Sequence, residues 1–536
     1  MSETTGNVPD TTAPFDGTAW TADRIANLTN LVGGEASERS EKTLSVLAPA
    51  TDQQLGGVPS MESDAVTASI DRAREAQSGW AAMPPGDRAA IFDQFAALVE
   101  EHREELLDLI QLETGKARIH AAEELLDPVL TADYYAETAP GELAAERRAP
   151  AIPLITTAEV HFDPVGVVGV ISPWNYPLSL SVVDAIPALV AGNAVVLKPD
   201  EKTPFTALRL AELLDDAGLP ADVCLVVTGD GPVVGETLIE GVDYVTFTGS
   251  SETGRLVAAQ AGRNLIDCSL ELGGKNPMVV LADADVDMVA RGATRACFTN
   301  AGQLCLSVER LYVHESIYDE FLDAFVEKTQ ALELGCDFGY ESDVGSLIDS
   351  GQLDRVHKHV EDARDGGATV HCGGRKRTDV GPFFYEPTIM TDVPSNSLPA
   401  CEETFGPVVS VTPVSSTTEA IERANETDYG LNASVWTSDL DRGREVALEI
   451  ESGTVCLNDG YAVGYGAADA PMGGVGDSGV GRRHGPEGLK RFTEPKTIGT
   501  SRVGPIGDVP LVPDSLYARS TFTLLSALRR VKQKLR

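Results

Sequence analysis

Cys305 closes the run Phe298-Thr299-Asn300-Ala301-Gly302-Gln303-Leu304-Cys305, just past a Gly-Gln turn and ahead of the strand-like Leu311-Tyr312-Val313. A thiolate on a short loop before a strand is placed to attack a carbonyl carbon, and it forms at neutral pH more readily than a serine alkoxide. A lone cysteine is more often a small buried hydrophobe, so its companions decide the matter. Glu271 lies in Leu270-Glu271-Leu272-Gly273-Gly274-Lys275-Asn276-Pro277, where it ends an apolar run and precedes two glycines that admit close backbone approach. A carboxyl in such a setting is a candidate for a raised pKa and for general-base work. Asn175 is held in Pro173-Trp174-Asn175-Tyr176-Pro177, and Glu403 and Phe405 belong to Glu402-Glu403-Thr404-Phe405-Gly406-Pro407.

The elements that must position these residues show in the periodicity. Residues 165–171, 194–197, 223–228 and 244–248 read as buried strands. Helices 178–189, 203–217 and 250–261 alternate with them, Pro204 in the first turn of the second and Gly218 past its end. Strands alternating with helices at these lengths predict a parallel α/β sheet, whose tight loops at strand C-termini are where such a sheet binds ligands. One such loop is Phe247-Thr248-Gly249-Ser250-Ser251-Glu252-Thr253-Gly254. Its helix start could hold a pyrophosphate, or it could be an ordinary strand-turn-helix corner, since it is no GxGxxG.

Upstream, 64–80, 85–102, 107–114 and 122–136 read as helices, and 149–163 as a short β-leaning stretch. A second α/β unit is expected from about 275 to 471, then a glycine-rich loop and a strand over 489–500. Residues 1–40 read as a loose acidic segment in which 20–32 could form one short helix, with Ile25, Leu28 and Leu31 on one face.

Composition narrows the function. The 536 residues are too many for one core. The formal charge of −40 argues against nonspecific nucleic-acid binding, because phosphates are repelled. Spread along the chain, it fits solubility in a high-salt cytoplasm, that of a halophile, or an ordinary acidic enzyme. The eight cysteines form no CxxC pair, so neither a disulfide framework nor a zinc site is expected, and a reducing cytoplasm suits them. The first residues lack the basic and apolar regions of a signal peptide, and no apolar run reaches membrane-spanning length.

Four motifs in this order, over about residues 45–500, resemble the NAD(P)-dependent aldehyde dehydrogenase superfamily. The resemblance implies an α/β fold: a Rossmann-like NAD(P)-binding domain (41–148 and 164–272), a catalytic domain (273–484), oligomerisation segments (149–163 and 485–502) and a C-terminal extension (503–536). It implies Cys305 as nucleophile, Glu271 as general base, and Asn175 as oxyanion donor beside the Cys305 N–H. Cofactor contacts would be Trp174, Lys198, Glu201, Gly249, Ser250, Gly254, Leu272, Glu403 and Phe405. Lys198 and Glu201 would hold the adenosine ribose; a carboxylate there repels a 2′-phosphate, so NAD is expected over NADP. Glu402 reads as an exposed acid. Trp174 and Tyr176 would line an aldehyde tunnel or be core aromatics.

Within the family, Asp469-Ala470-Pro471-Met472-Gly473-Gly474 and Asp477-Ser478-Gly479-Val480-Gly481-Arg482 resemble the succinate-semialdehyde dehydrogenase subgroup. Yet the positions that would carry that subgroup's carboxylate-binding arginines are Val183 and Thr299. Without an arginine fork a carboxylate is poorly held, so a neutral aliphatic or aromatic aldehyde competes with succinate semialdehyde as substrate. A homodimer or homotetramer is implied. Residues 515–536 read as a basic amphipathic helix for a membrane surface, or for the acidic body or a neighbouring subunit. Two other classes compete: a cysteine hydrolase indifferent to nicotinamide, and a non-catalytic protein that keeps the fold.

Overall fold

The structure is a computed structural model. It describes residues 15–33, 42–152, 155–502, 504 and 513–535, with backbone alone at 524, 527, 528, 531, 532, 534 and 535. The chain divides into two units, Met1–Glu142 with Pro164–Thr493, and Leu143–Asp163 with Glu494–Arg536.

Two sheets organise the first unit. One has the spatial order Gly479–Val480, Asp267–Glu271, Tyr244–Thr248, Val167–Ile171, Ala194–Lys198, Cys224–Val226. All neighbours pair in parallel except the edge strand Gly479–Val480, which runs antiparallel to Asp267–Glu271. A parallel sheet is covered on both faces, so its strands are near-continuous apolar runs, as Ala194-Val195-Val196-Leu197 illustrates. The helix Ser179–Val190 is buried along its whole length. It packs against the long helix Arg118–Glu142.

The other sheet has the order Thr369–Cys372, Thr388–Thr391, Val408–Val414, Val308–His314, Asn276–Val280, Asn432–Trp436, Thr454–Leu457. Only the Thr369–Cys372 edge is antiparallel. The helix Val286–Phe298 covers one face, and Phe298, Phe321 and Phe325 stack beneath it at 5.5–5.9 Å between rings.

Several elements differ from the sequence reading. The helix expected over 122–136 runs from Arg118 to Glu142 through Pro128 and Pro140, because its buried side (Ala121, Glu124, Ala132, Tyr135, Ala139) packs along its whole length. Part of the segment read as loose is docked. Thr21 caps the helix Ala22–Leu28, a 3₁₀ turn Thr29–Leu31 replaces the rest of the expected helix, and Ile25 and Leu28 are buried. Trp20 is 1% exposed and its Nε1 donates to the Glu105 carbonyl at 2.8 Å. Residues 1–14 and 34–41 lie outside the described residues. The strand expected over 489–500 is Thr493–Ser501; Leu489 and Lys490 instead end the helix Gly485–Lys490, because Leu489 is fully buried.

The second unit carries a sheet in the order Thr493–Ser501, Thr156–Pro164, Glu146–Arg148. Its helix Asp514–Leu535 exposes Leu516, Phe522 and Leu525; of the side chains read as its apolar and basic faces, Leu524, Leu528, Val531, Lys532, Lys534, Leu535 and Arg536 lie outside the description. No helix among the described residues is long and apolar enough to cross a membrane.

Candidate active site

The loop that presents Cys305 is held in an uncommon shape. After the helix Val286–Phe298 the chain turns through Asn300 (φ 52°) and Ala301 (φ 54°), left-handed conformations that cost energy in non-glycine residues. The surrounding bonds over-determine them. Asn300 N donates to His120 Nδ1 at 3.1 Å, which fixes that ring's other nitrogen as the protonated one. Asn300 Nδ2 donates to the carbonyls of Asn175 and Gln303, each at 3.1 Å. Beyond the turn, Asn276 Nδ2 holds the carbonyls of Cys305 (2.7 Å) and Ser307 (2.8 Å). The Asn175 amide reaches the same loop, donating to Gln303 O at 3.0 Å.

Glu271 is the last residue of its strand and is 4% exposed. Neither carboxyl oxygen finds a hydrogen-bond partner among the described residues. Burial pushes its pKa up to about 7, against the pull of Arg483 and Arg491. The edge strand that covers it requires glycine: Gly479 has φ +142°, and a Cβ there would lie 2.1 Å from Leu270 O. Below, Arg483 pairs with Asp184 at 2.6 Å and donates to Thr248 Oγ1, tying the glycine-rich loop to the end of the neighbouring strand.

Glu403 accepts a hydrogen bond from Gly274 N at 2.9 Å, and burial lifts its pKa to about 7. The loop that carries it is anchored by Glu309, buried and paired with Lys275. Glu309 accepts the N–H groups of Thr404 and Phe405 at 3.0 Å. Phe405, itself left-handed at φ 55°, meets Trp174 edge-on at 5.6 Å.

These groups line one cavity of about 450 Å³: Trp174, Asn175, Gly249, Ser250, Glu271, Leu272, Cys305, Glu403 and Phe405 all face it. Lys198, Glu201 and Gly254 are not on its wall. Gly254 packs beneath it, where a Cβ would meet Leu272 Cδ2 at 2.4 Å. Lys198, the last residue of the strand Ala194–Lys198, pairs at 3.1 Å with Glu201 in the turn that follows. The cavity suits a dinucleotide. Ser250 caps the helix Ser251–Asn264, whose first residues line the wall, and such a helix start favours a phosphate.

A smaller cavity of about 80 Å³ opens on the other side of Cys305. Tyr176, Leu304, Leu306 and Tyr465 make its apolar wall, and Glu123, Glu124 and Asp127 its acidic one. Tyr176 therefore faces this cavity and Trp174 the larger one. Val183 is buried in the same apolar cluster as Leu304 and Leu306. Thr299 Oγ1 donates to Arg295 O at 2.8 Å and meets the Tyr461 hydroxyl at 3.1 Å. Sequence reasoning missed Glu123, Glu124, Asp127, Tyr461 and Tyr465. Only the three- and four-residue spacing of acids on one helix pointed to the first three.

Burial and then the nearby Glu403 carboxylate push the Cys305 thiol up to about 12. Cys305 thus shares its cavity with two buried carboxyls, Glu271 and Glu403, each with its pKa raised to about 7.

A Rossmann-like sheet and a second α/β sheet, with a cysteine on the walls of both a cavity of about 450 Å³ and a small apolar pocket, are the frame of a nucleotide-dependent oxidoreductase. The chain belongs to the aldehyde dehydrogenase family, whose model matches residues 36–498. A Mycolicibacterium smegmatis protein provisionally named succinate-semialdehyde dehydrogenase (NADP+) is 49% identical over 482 residues, covering 90% of this chain and 93% of that one. Phenylacetaldehyde dehydrogenase of Pseudomonas fluorescens is 38% identical, covering 87% and 95%. Among solved structures, betaine aldehyde dehydrogenase from Staphylococcus aureus in complex with NAD+ superposes with a TM-score of 0.84 at 32% identity, over 89% of this chain and 94% of that one. The protein catalyses NAD(P)-dependent oxidation of an aldehyde.

Proposed function

We propose that Cys305 Sγ adds to the aldehyde carbon while its thiol proton passes to Glu271, which releases it to solvent, leaving the anion of a hemithioacetal. Asn175 Nδ2 and the Cys305 N–H stabilise the oxyanion. A bound nicotinamide would supply the acceptor for the hydride of this carbon. A thioester remains on Cys305. Glu271 takes a proton from water, which attacks the thioester; the C–S bond breaks, the thiol is restored and the carboxylic acid leaves. Glu403 and Phe405 orient the nicotinamide ribose and ring, and Gly249, Ser250 and Leu272 hold the dinucleotide. The observation that carries this reading is the place of Cys305 in the walls of both cavities. The test is nucleotide reduction with a panel of aldehydes, for the wild type and Cys305→Ala. Reduction that persists in the variant would sink it.

The substrate we favour is an aldehyde without a negative charge. The pocket beyond Cys305 is apolar, with Asp127 and Glu123 on its wall. Val183 and Thr299 offer no cation, and the charges of Arg295 and Lys116 are spent on Glu123 and Glu124. Succinate semialdehyde, named for the mycobacterial relative, is the second reading. Butanal against succinate semialdehyde separates the two, and a tenfold preference for the acid would overturn the first.

Three finer readings go with it. NAD is preferred because Glu201 would face a 2′-phosphate, although Lys198 offsets part of that charge; kcat/KM with each nucleotide tests this. The sheet of the second unit pairs subunits in a dimer or a tetramer, and the helix Asp514–Leu535 docks on a subunit rather than a membrane. Deleting residues 513–536 should then change oligomer mass and leave lipid pelleting unchanged. Eight free cysteines fit the reducing cytoplasm.

A further inference from the structure

Lys116 and Glu124 form a fully buried ion pair, both side chains 0% exposed. Lys116 Nζ donates to Glu124 Oε2, and at 2.8 Å to the backbone carbonyl of Asn175; it also stands 3.8 Å from the centre of the Tyr176 ring. Glu124 Oε1 accepts the N–H groups of Leu178 (2.8 Å) and Ser179 (3.3 Å). These open the helix Ser179–Val190, which has no side-chain cap of its own. The pair thus grips both ends of the segment 175–179. The Asn175 carbonyl takes a second bond from Asn300 Nδ2, from the loop that presents Cys305.

Burying two charges carries a desolvation penalty that an apolar pair of similar volume would avoid. Stability alone therefore does not account for this pair. The directionality of its bonds does something an apolar pair cannot: it fixes the Asn175 backbone against the Cys305 loop, and with it the direction of the Asn175 amide.

We propose that Lys116 and Glu124 are positioning residues that aim the Asn175 side chain at the carbonyl oxygen of the bound aldehyde. The inference rests on the oxyanion role given to Asn175 above. Preorganised donors lose much of their effect when displaced by a fraction of an ångström, so the pair acts on turnover without touching the reacting atoms.

A double-mutant cycle tests this. Lys116→Met with Glu124→Met replaces the pair by apolar side chains, and Glu124→Gln keeps the shape and the acceptor should the first variant not fold. We expect kcat/KM to fall roughly thirtyfold in the double variant and tenfold in Glu124→Gln. NAD affinity should stay within twofold, as should the rate at which iodoacetamide alkylates Cys305. Asn175→Ala should fall at least as far, and adding either substitution to it should cost nothing more. Wild-type turnover in the apolar double variant, or losses that multiply with Asn175→Ala, would overturn the proposal. An Asn175→Ala enzyme with full turnover would remove the oxyanion role itself, and this inference with it.

Discussion

Gly273 and Glu403 stand so close that a Cβ on residue 273 would lie 2.5 Å from Glu403 Oε2. No side chain fits there without driving the carboxylate off Gly274 N. Gly273→Ala should raise the KM for the dinucleotide about tenfold and leave the melting temperature within a few degrees. Steady-state kinetics and thermal melts check both.

Glu271 should set the pH profile. It must be ionised to act as a base, so deacylation should fall about tenfold per pH unit below about 7. Glu271→Gln should abolish that inflection and let thioester accumulate, read as a burst of reduced nucleotide followed by a slow phase.

The same group bears on stability. Its pKa is raised from 4.5 to about 7, so its contribution is fully present below pH 4.5 and is lost as the pH rises through about 7. Relative to the wild type, Glu271→Gln should gain roughly 3 kcal/mol between pH 4.5 and 8, taking about 1.4 kcal/mol per pKa unit. Denaturant melts at the two pH values measure it; a gain in the opposite direction would mean that Glu271 is ionised throughout.

Asp127 accepts bonds from Ser179 Oγ (2.5 Å) and Tyr465 OH (2.8 Å) on the wall of the smaller cavity, and no basic side chain among the described residues bonds to it. Asp127→Asn should improve kcat/KM for succinate semialdehyde relative to butanal by about tenfold, through loss of like-charge repulsion at close range. An unchanged ratio would show that the aldehyde tail does not approach Asp127.

A net charge of −40 destabilises the compact state when unscreened. Raising KCl from about 0.1 M to about 1 M shortens the Debye length from roughly 10 Å to 3 Å. The melting temperature should rise by several degrees, as differential scanning fluorimetry would record.

The alternation of strand and helix was legible in the first sheet because a parallel sheet needs apolar runs and a definite rhythm, and four of its strands appear where that rhythm lies; for the second sheet only the span of an α/β unit and the run Leu311-Tyr312-Val313 were legible. Cys305, Glu271 and Asn175 sit in local settings of glycines, prolines or apolar neighbours that mark them as candidates, but their roles, and Glu403 altogether, were legible only through the resemblance of their motifs to the family. Glu123, Glu124 and Asp127 could not be singled out. In a chain with 82 acidic residues a row of acids on a helix looks like a solvated face, and only tertiary packing turns it inward. Lys116 is hidden for the same reason, since its partner and its target are 8 and 59 residues away. The helix through Pro128 and Pro140 shows packing overriding a local breaker.

Cys305 belongs to the wall of two chambers at once. The residue is therefore a partition between them. An electrophile shaped for the smaller chamber could reach it while the larger one is filled, and so need not compete with the dinucleotide. Traffic on one side of the partition need not wait for the other to empty.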